Sequence, residues 1–301
     1  MPNLYVEIFR EHFHALEPVD SGESPRLDRL EGIRAVLFDL YGTLFVSASG
    51  EVGTAEERTA GNNPVLQRAL EEALGSLGLD HAADHPSVEF LFQAIEASHA
   101  RGRQDGIDYP EVDIVEIWRE ILPRPASGRP TGDTALRSVD LKRLAVEYEA
   151  RANPCWPMPH LQDCLERLHR HGLLLGIISN AQFYTAYLFE ALLGESAEGC
   201  GFERDLQYYS YLYGRAKPGT ALFATARATL EQRRIEPEEV LYVGNDILND
   251  VLPAREVGFR TALFAGDARS LRRREEDSRA AGISPDLIIT DLAQLPECMI
   301  Q

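Results

Sequence analysis

The sequence predicts a doubly wound α/β fold, in which helices cover both faces of a parallel sheet, together with a second, helical domain. Short apolar runs of strand length recur along the chain: IRAVLF, LLLGIIS, EVLYVG, FRTALFAG and DLIIT. Continuous rather than alternating apolar residues are typical of parallel strands that are buried on both faces. Helical patterns separate these runs, and strand–helix alternation favours an α/β sheet.

The segments between the strands show helical spacing. In MPHLQDCLERLHRHG, apolar residues recur at i, i+3, i+4 and i+7, and Gly172 is placed to end the helix. A second helix is expected in TALFATARATLEQRR, which has one apolar side. In folds of this kind, ligands bind beyond the carboxyl ends of the strands. The polar residues that end each apolar run are therefore the candidates for a functional site.

The region after the first strand has a different pattern and predicts a helical cap. NPVLQRALEEALGSLG has leucines at helical spacing, SVEFLFQAIEASHA, PEVDIVEIWREIL and SVDLKRLAVEYEARA also look helical, and Pro123–Asp133 reads as a loop. Three parts are expected: an N-terminal extension packed on the core (1–32), an α/β core (33–45 and 154–301) and a helical cap (46–153).

Composition disfavours several classes of function. The formal net charge is −18, from 30 basic and 48 acidic residues, and such a surface repels a nucleic-acid backbone. No apolar run approaches the roughly 20 residues that cross a bilayer, and the first residues lack the pattern of a secretory signal. The four cysteines show no metal-type clustering, which indicates reduced thiols in a cytoplasmic protein. We expect a small, anionic substrate, no nucleic-acid or membrane partner, and an oligomeric state that the sequence leaves open, a homodimer included.

The first two strand ends offer a nucleophile and an anion contact. Asp39 ends the run AVLFD before a Gly turn, and Thr43 follows it. A carboxylate there can attack an electrophilic centre and form an ester or acyl phosphate, although an Asp can also simply cap a turn. Ser179 and Asn180 end LLLGII and can bind oxygens of a phosphate or carboxylate, but such dipeptides are also common in turns.

The next two strand ends offer a cation and carboxylates. Pro218 can begin a helix, which leaves Lys217 where a cation and backbone amides meet an anion, unless it is a surface lysine. In GNDILND, Asp246 and Asp250 supply hard oxygen ligands of the kind that Mg²⁺ binds. The alternative is a cluster that caps the next helix.

Together, the motifs FDLYGTLF, GIISNA, RAKPGTALF and YVGNDILNDVLPAREVGF resemble the haloacid dehalogenase superfamily of hydrolases. The resemblance extends from about Ile33 to Leu295 and implies a Rossmann-like core with a helical cap. It implies roles for these residues: Asp39 as nucleophile, Thr43 in its support, Ser179 on the transferring group, Lys217 for charge neutralisation, and Asp39, Asp246, Asp250 and the Tyr41 carbonyl as ligands of Mg²⁺.

Tyr41 departs from the phosphatase pattern. Phosphatases of this superfamily usually place an Asp there, which protonates the leaving oxygen and activates water. A tyrosine, with an ordinary pKa near 10, is a poor base at neutral pH. The pattern DxYGTLF is similar to the L-2-haloacid dehalogenases, whose halide leaving group needs neither metal nor acid. Those enzymes have an arginine in the cap soon after the first strand. The corresponding segment here, VSASGEVGTAEERTAGNNP, is polar, and Arg58 is its single arginine, so the cap arginine has no clear counterpart.

The sequence therefore favours Mg²⁺-dependent hydrolysis of a small phosphate ester, with Asp39, Tyr41, Thr43, Ser179 and Lys217 as the catalytic set. A dehalogenase-type hydrolase and a non-catalytic binding protein on the same fold are the alternatives. We expect Asn180 and Gln182 to contact the substrate, although Gln182 can equally belong to the core. The basic run DARSLRRREED either binds an anion near the site or forms a solvated helix with Arg–Glu pairs.

Overall fold

The computed structural model describes residues 3–49, 63–79, 86–122 and 140–299. The chain forms two compact units. The helical unit comprises Met1–Phe13 and Val52–Pro154, and the α/β unit comprises His14–Glu51 and Cys155–Gln301. The N-terminal extension is thus divided between the units: its first part lies in the helical unit, and only the part from His14 lies in the α/β unit.

The helical unit confirms the helices expected between the first strand and residue 154. Its described helices are α1 Leu4–His12, α2 Pro64–Ser76, α3 Val88–Gln104, α4 Ile114–Ile121 and α5 Leu141–Ala152. Side-chain caps begin the last four: Asn63, Ser87, Asp113 and Asp140 each accept a backbone N–H of the first turn. The loop expected at Pro123–Asp133 lies outside the described residues.

The core of the helical unit is apolar. Leu70 and Leu74 of α2 are buried as the leucine spacing predicted, and Trp118 of α4 packs edge-on against Tyr148 of α5 at 5.6 Å between ring centroids. Glu147 is also buried and is paired with Arg151 at 2.6 Å. In the described part of the chain, no helix has the length and apolar character to span a membrane.

The α/β unit is built on a six-stranded parallel sheet with the order β5-β4-β1-β6-β7-β8. Its described strands are β1 Ala35–Phe38, β2 Phe45–Ser47, β3 Cys155–Pro157, β4 Leu174–Ser179, β5 Phe202–Tyr209, β6 Val240–Gly244, β7 Arg260–Phe264 and β8 Leu287–Ile289. β2 and β3 form a separate antiparallel pair. The α/β fold and all five strands expected from apolar runs are confirmed.

Helices and tighter turns connect the strands. The described helices of this unit are α6 Leu161–Arg170, α7 Tyr187–Leu193, α8 Ser210–Tyr213, α9 Ala221–Gln232, α10 Leu252–Glu256 and α11 Gln294–Glu297. Short 3₁₀ turns span Phe183–Ala186 and Pro237–Glu239, and a π-helix spans Ile247–Val251. Helix α9 buries Leu222, Phe223, Ala226 and Leu230 against the sheet, as its apolar side predicted.

The strand order places one position at the centre of the sheet. Strand β1 pairs with β4 on one side and β6 on the other, so that Leu37 lies between Gly176 and Tyr242. The chain order of the strands reverses across β1, which is the switch point where ligands bind in open α/β sheets. Asp39, the residue after β1, therefore lies where such a fold forms its binding crevice.

Candidate active site

The residues at four strand ends meet in one buried cluster around Asp39. Ser179 Oγ donates a hydrogen bond to Asp39 Oδ1 at 2.8 Å, and Lys217 Nζ lies 2.8 Å from the same oxygen. Lys217 Nζ also lies 2.6 Å from Asp250 Oδ1. Within the residues that the structure describes, the other oxygen of Asp39, Oδ2, has no hydrogen-bond or ion-pair partner. The carboxylate is thus held by one oxygen and presents the other.

The backbone around Asp39 explains how the carboxylate is presented. Its N–H donates to Val243 O at 2.9 Å, which continues the pairing of β1 with β6 by one residue. The chain then turns so tightly that the N–H groups of Thr43, Leu44 and Phe45 all point to Leu40 O. The turn requires Gly42, which has φ +78°, and a Cβ there would lie 2.7 Å from Ser270 Oγ and 2.8 Å from Asn245 Nδ2.

One buried cation, Lys217, faces two buried carboxylates, Asp39 and Asp250. Burial by itself lowers the pKa of Lys217, but Asp250 and Asp39 outweigh it and raise that pKa above the ordinary value. Burial raises the pKa of Asp250 to about 6, against the opposing effect of Lys217 and with further increases from Asp39 and Asp246. The ammonium therefore stays charged at neutral pH and faces both carboxylates.

Asn180 holds the backbone of Lys217. Its Nδ2 donates to Lys217 O at 3.1 Å, and its Oδ1 accepts from Lys217 N at 2.8 Å. Pro218 follows through a cis peptide bond, and helix α9 begins at Ala221 rather than at Pro218 as expected. The Asn180 amide thus holds the backbone of Lys217 at both ends, and its expected contact with the substrate stays a prediction. Gln182 lies just before the 3₁₀ turn at Phe183, and its substrate contact stays a prediction.

The hydroxyl of Thr43 binds Asn245, and the expected support of Asp39 by Thr43 stays a prediction. Its Oγ1 donates to Asn245 Oδ1 at 3.2 Å, and Asn245 Nδ2 donates to Ser270 O at 2.5 Å. Ser270 in turn lies against Gly42. The hydroxyl of Thr43 therefore joins the nucleophile turn to the segment that follows β7, and does so through Asn245.

Tyr41 is tied to a neighbouring turn. Its hydroxyl lies 2.9 Å from Thr185 Oγ1, and both residues are buried. Thr185 belongs to the 3₁₀ turn that follows Ser179. The phenol thus links the turns after β1 and β4.

The carboxylates of Asp246 and Asp250 both have hydrogen-bond partners within the protein, and their roles as Mg²⁺ ligands stay predictions, as do those of Asp39 and the Tyr41 carbonyl. Asp246 Oδ1 accepts from Leu248 N at 2.7 Å and caps the π-helix, while Oδ2 accepts from Arg274 Nη2 at 2.6 Å. Asp250 Oδ1 binds Lys217, and its Oδ2 accepts from Asp246 N at 3.0 Å. Among the described residues, no group of three or more His, Cys, Asp or Glu side chains is arranged to hold a metal ion. Asp246 caps the helix that follows β6, as the alternative interpretation of GNDILND predicted. The reaction steps proposed below do not involve a metal.

Arginines of the basic run after β7 form ion pairs with acidic residues of the same chain. Arg269 pairs with Asp267, Arg273 with Glu23 and Arg274 with Asp246. The expected solvated helix is not present either, because the structure has turns and bends over this segment. Irregular backbone lets Arg274, at φ +57°, turn back to the end of β6.

Tyr242 is the site neighbour that the sequence patterns did not reveal. It lies inside the apolar run of β6, and its hydroxyl donates to Ile178 O at 2.8 Å and lies 3.1 Å from Asp250 Oδ1. Burial, Asp250 and Asp39 raise the pKa of Tyr242 well above its ordinary value, so the phenol keeps its proton. A tyrosine in an otherwise aliphatic buried strand is the one sequence feature that could have indicated this role.

The central strand of this parallel sheet is followed by a buried carboxylate that contacts a serine and a lysine, an arrangement that suits an α/β hydrolase. The chain belongs to the haloacid dehalogenase-like hydrolases, since the model of that family matches residues 33–258.

Known relatives include phosphatases and dehalogenases. The chain is 26% identical over 247 residues to the phosphoglycolate phosphatase of Salmonella typhi, with 77% of this chain and 81% of that protein covered. It is 26% identical over 271 residues to the ribulose-1,5-bisphosphate 5-phosphatase of Halopiger xanaduensis, with 87% and 98% covered. The 2-haloacid dehalogenase of Pseudomonas syringae superposes with a TM-score of 0.54 at 21% identity, covering 88% of this chain and 97% of that one, which shows a shared fold.

Proposed function

We propose that this hydrolase cleaves a small phosphate ester through a covalent intermediate on Asp39. The observation that carries it is the unequal use of the two carboxylate oxygens. Ser179 and Lys217 both bind Oδ1, whereas Oδ2 has no partner within the described part of the chain. A carboxylate fixed in this way is oriented for attack, and splitting one hard displacement into two easier steps is the benefit of covalent catalysis.

The reaction then proceeds in two displacements. Oδ2 of Asp39 attacks the phosphorus, and the bond from phosphorus to the ester oxygen breaks with its electron pair on the departing oxygen. Water attacks the phosphorus of the acyl phosphate, which releases inorganic phosphate and returns the carboxylate. Lys217 offsets negative charge at Asp39 in both steps, since its ammonium is 2.8 Å from that side chain. Water gives the departing oxygen its proton, because the Tyr41 hydroxyl is held by Thr185.

The substrate class is supported by the phosphatase relatives and by the placed cation. The curated relatives above are both phosphatases, and each is matched over more than three quarters of its own length. In a chain of net charge −18, the buried Lys217 places positive charge beside Asp39, where an anionic group would approach. The dependence on Mg²⁺ that the sequence predicts stays part of the proposal, and the comparison of activity with Mg²⁺ and with EDTA measures it.

A second candidate function, hydrolytic dehalogenation of a 2-haloacid, is favoured by one observation. The residue two places after Asp39 is Tyr41 rather than an acid, and its hydroxyl is bound to Thr185. A halide departs without a proton, so this arrangement suits displacement at carbon in a 2-haloacid. Asp39 would then form a carboxylic ester, which water hydrolyses.

The decisive assay measures product release from two panels. The first contains phosphomonoesters, with phosphoglycolate and ribulose-1,5-bisphosphate among them, and the second contains 2-haloacids. Each is run with Mg²⁺ and with EDTA, on the unaltered chain, on Asp39→Asn and on Asp163→Asn, an exposed control on α6. We expect phosphate release that Asp39→Asn abolishes and Asp163→Asn leaves intact. Halide release in EDTA would favour the dehalogenase, and no release from either panel would favour a non-catalytic binding protein.

Two further properties belong to the proposal. All four cysteines are free thiols, which supports a reducing, cytoplasmic location. A homodimer is the oligomeric state to test, and light scattering on the purified chain would measure it.

A further inference from the structure

Tyr242 contacts two buried charged residues of the site, Lys217 and Asp250. It lies in the middle of β6 beside Leu37, is 1% exposed, and its ring packs edge-on against Phe223 at 4.8 Å. Its hydroxyl lies 3.2 Å from Lys217 Nζ, 3.1 Å from Asp250 Oδ1 and 2.8 Å from Ile178 O. One phenol therefore touches the lysine, its buried carboxylate partner and the strand that ends in Ser179.

Among the described residues, three oxygen atoms surround the ammonium of Lys217. An ammonium has three N–H donors, and the acceptors around Nζ are Asp39 Oδ1 at 2.8 Å, Asp250 Oδ1 at 2.6 Å and Tyr242 Oη at 3.2 Å. The phenol accepts from the ammonium, and its one proton has two acceptors in reach, Ile178 O at 2.8 Å and Asp250 Oδ1 at 3.1 Å. Within the described residues, the ammonium therefore hydrogen-bonds Tyr242 and Asp250 and forms an ion pair with Asp39, and these three oxygens together constrain its position.

We propose that Tyr242 is a positioning residue that holds the Lys217 ammonium against Asp39 and thereby sets the rate at which Asp39 is esterified. This inference rests on the proposed function for its kinetic consequence alone. Tyr242 is too deeply buried to touch a substrate, so it acts through Lys217. Without the phenol oxygen, one N–H of a long, flexible side chain loses its acceptor, and the ammonium is drawn toward Asp250, its shorter ion pair.

The chain offers a matched control for the phenol. Tyr208 of β5 is 2% exposed, and its hydroxyl donates to Asp205 O at 3.0 Å. Tyr208→Phe therefore removes the hydroxyl of a buried strand tyrosine that does not contact Lys217. A loss of activity that reflects general loosening of the sheet would appear in both variants.

The kinetic test uses rapid-quench single turnover of the full chain on the best phosphomonoester. We expect Tyr242→Phe to slow phosphorylation of Asp39 by about tenfold, the effect of one hydrogen bond to a charged group, with KM within about twofold. Tyr208→Phe should keep the unaltered rate. Equal rates in all three proteins, or equal losses in the two variants, would overturn the positioning role.

A second readout does not depend on activity. The chain has two lysines, Lys142 and Lys217, so the side-chain ammonium signals in a ¹⁵N NMR spectrum can be assigned with Lys142→Arg. We expect a slowly exchanging Lys217 signal in the unaltered chain and in Tyr208→Phe, and its shift and faster exchange in Tyr242→Phe. An unchanged Lys217 signal in Tyr242→Phe would contradict the inference. If phosphatase activity is absent and this shift is present, the proposed function fails while the positioning of Lys217 stands.

Discussion

The ammonium of Lys217 lies 2.8 Å from Oδ1 of Asp39, and both side chains are buried at the carboxyl end of the central strand. A buried carboxylate needs a compensating charge, and the same cation offsets the charge that develops when that carboxylate attacks a phosphate. Stability and reactivity of the site therefore depend on one lysine.

Lys217→Met should impair both properties. Loss of the cation leaves Asp39 and Asp250 buried without a compensating positive charge, so we expect the free energy of unfolding to fall by about 3–5 kcal/mol at neutral pH. Activity should fall by roughly 1,000-fold in the fraction that folds. Lys142→Met, at an exposed position on α5, serves as control. Denaturant unfolding and phosphate release measure the two effects, and full activity in Lys217→Met would rule out the charge-neutralising role.

Asp250 should give the pH–rate profile a rising limb. Burial raises the pKa of this carboxyl to about 6 from an ordinary 3.8, so it takes up a proton below that pH and weakens its hold on Lys217. We expect kcat/KM to rise through about pH 6 and the limb to be absent in Asp250→Asn. A group whose pKa is raised on folding binds its proton more tightly in the native state. Its contribution to stability is therefore full below pH 3.8 and is lost as the pH rises through about 6. An unchanged limb in Asp250→Asn would assign it to another group.

Tyr41→Phe should have a small effect that does not depend on the leaving group. The hydroxyl that it removes is bound to Thr185, so we expect a loss of about 1 kcal/mol in stability. We expect kcat to change by less than about threefold for alkyl and aryl phosphates alike, since general acid catalysis contributes about a hundredfold or more where it operates. Selective loss of activity toward alkyl phosphates would identify Tyr41 as the proton donor.

Asp246→Asn should weaken the fold and leave the metal response unchanged. Its carboxylate caps the π-helix and pairs with Arg274 at 2.6 Å, so we expect unfolding to become easier by about 2–4 kcal/mol. The ratio of activity with Mg²⁺ to activity in EDTA should equal that of the unaltered chain. Asp163→Asn is the control. A variant of normal stability that lost activation by Mg²⁺ would restore Asp246 as a metal ligand.

Gly42→Ala should destabilise the turn after Asp39 more than its backbone angle explains. Gly172 has nearly the same angle, φ +77° against +78°, but has no atom within 4 Å of an added Cβ. We expect Gly172→Ala to cost about 1–2 kcal/mol for the left-handed backbone, and Gly42→Ala about 1–3 kcal/mol more for collision with Ser270. Equal losses of stability in the two variants, measured by thermal unfolding, would show that Ser270 can move away from the added Cβ without an energetic penalty.

The sequence could predict the fold because the strands buried on both faces are continuously apolar. Strand β5 was not predicted, because it is not continuously apolar: it lies at the edge of the sheet and exposes Arg204 and Asp205 among buried residues. The clustering of Asp39, Ser179, Lys217 and Asp250 also followed from strand ends that share one edge of the sheet. The position of a residue at a strand end did not predict the direction in which its side chain points.

Three candidate site residues have side-chain partners that the sequence did not predict, for one physical reason. Asp246 turns to Arg274, Thr43 to Asn245 and Asn180 to the Lys217 backbone, and each partner is distant in the sequence. Residue type and strand position indicate which groups come near, but such partners depend on the irregular segments that follow the strands. Tyr242 was missed because a tyrosine in an apolar run also packs well as a core residue.

The most direct test of the central claim is the mass of the Asp39 peptide during turnover. The full chain is mixed with the best phosphomonoester, quenched in acid and digested, and the peptide that contains Asp39 is fragmented. We expect a phosphoryl group on Asp39 in the unaltered chain and none in Asp39→Asn, which should also be inactive. Sustained phosphate release with Asp39 unmodified at every quench time, or activity that survives in Asp39→Asn, would contradict covalent catalysis by this residue.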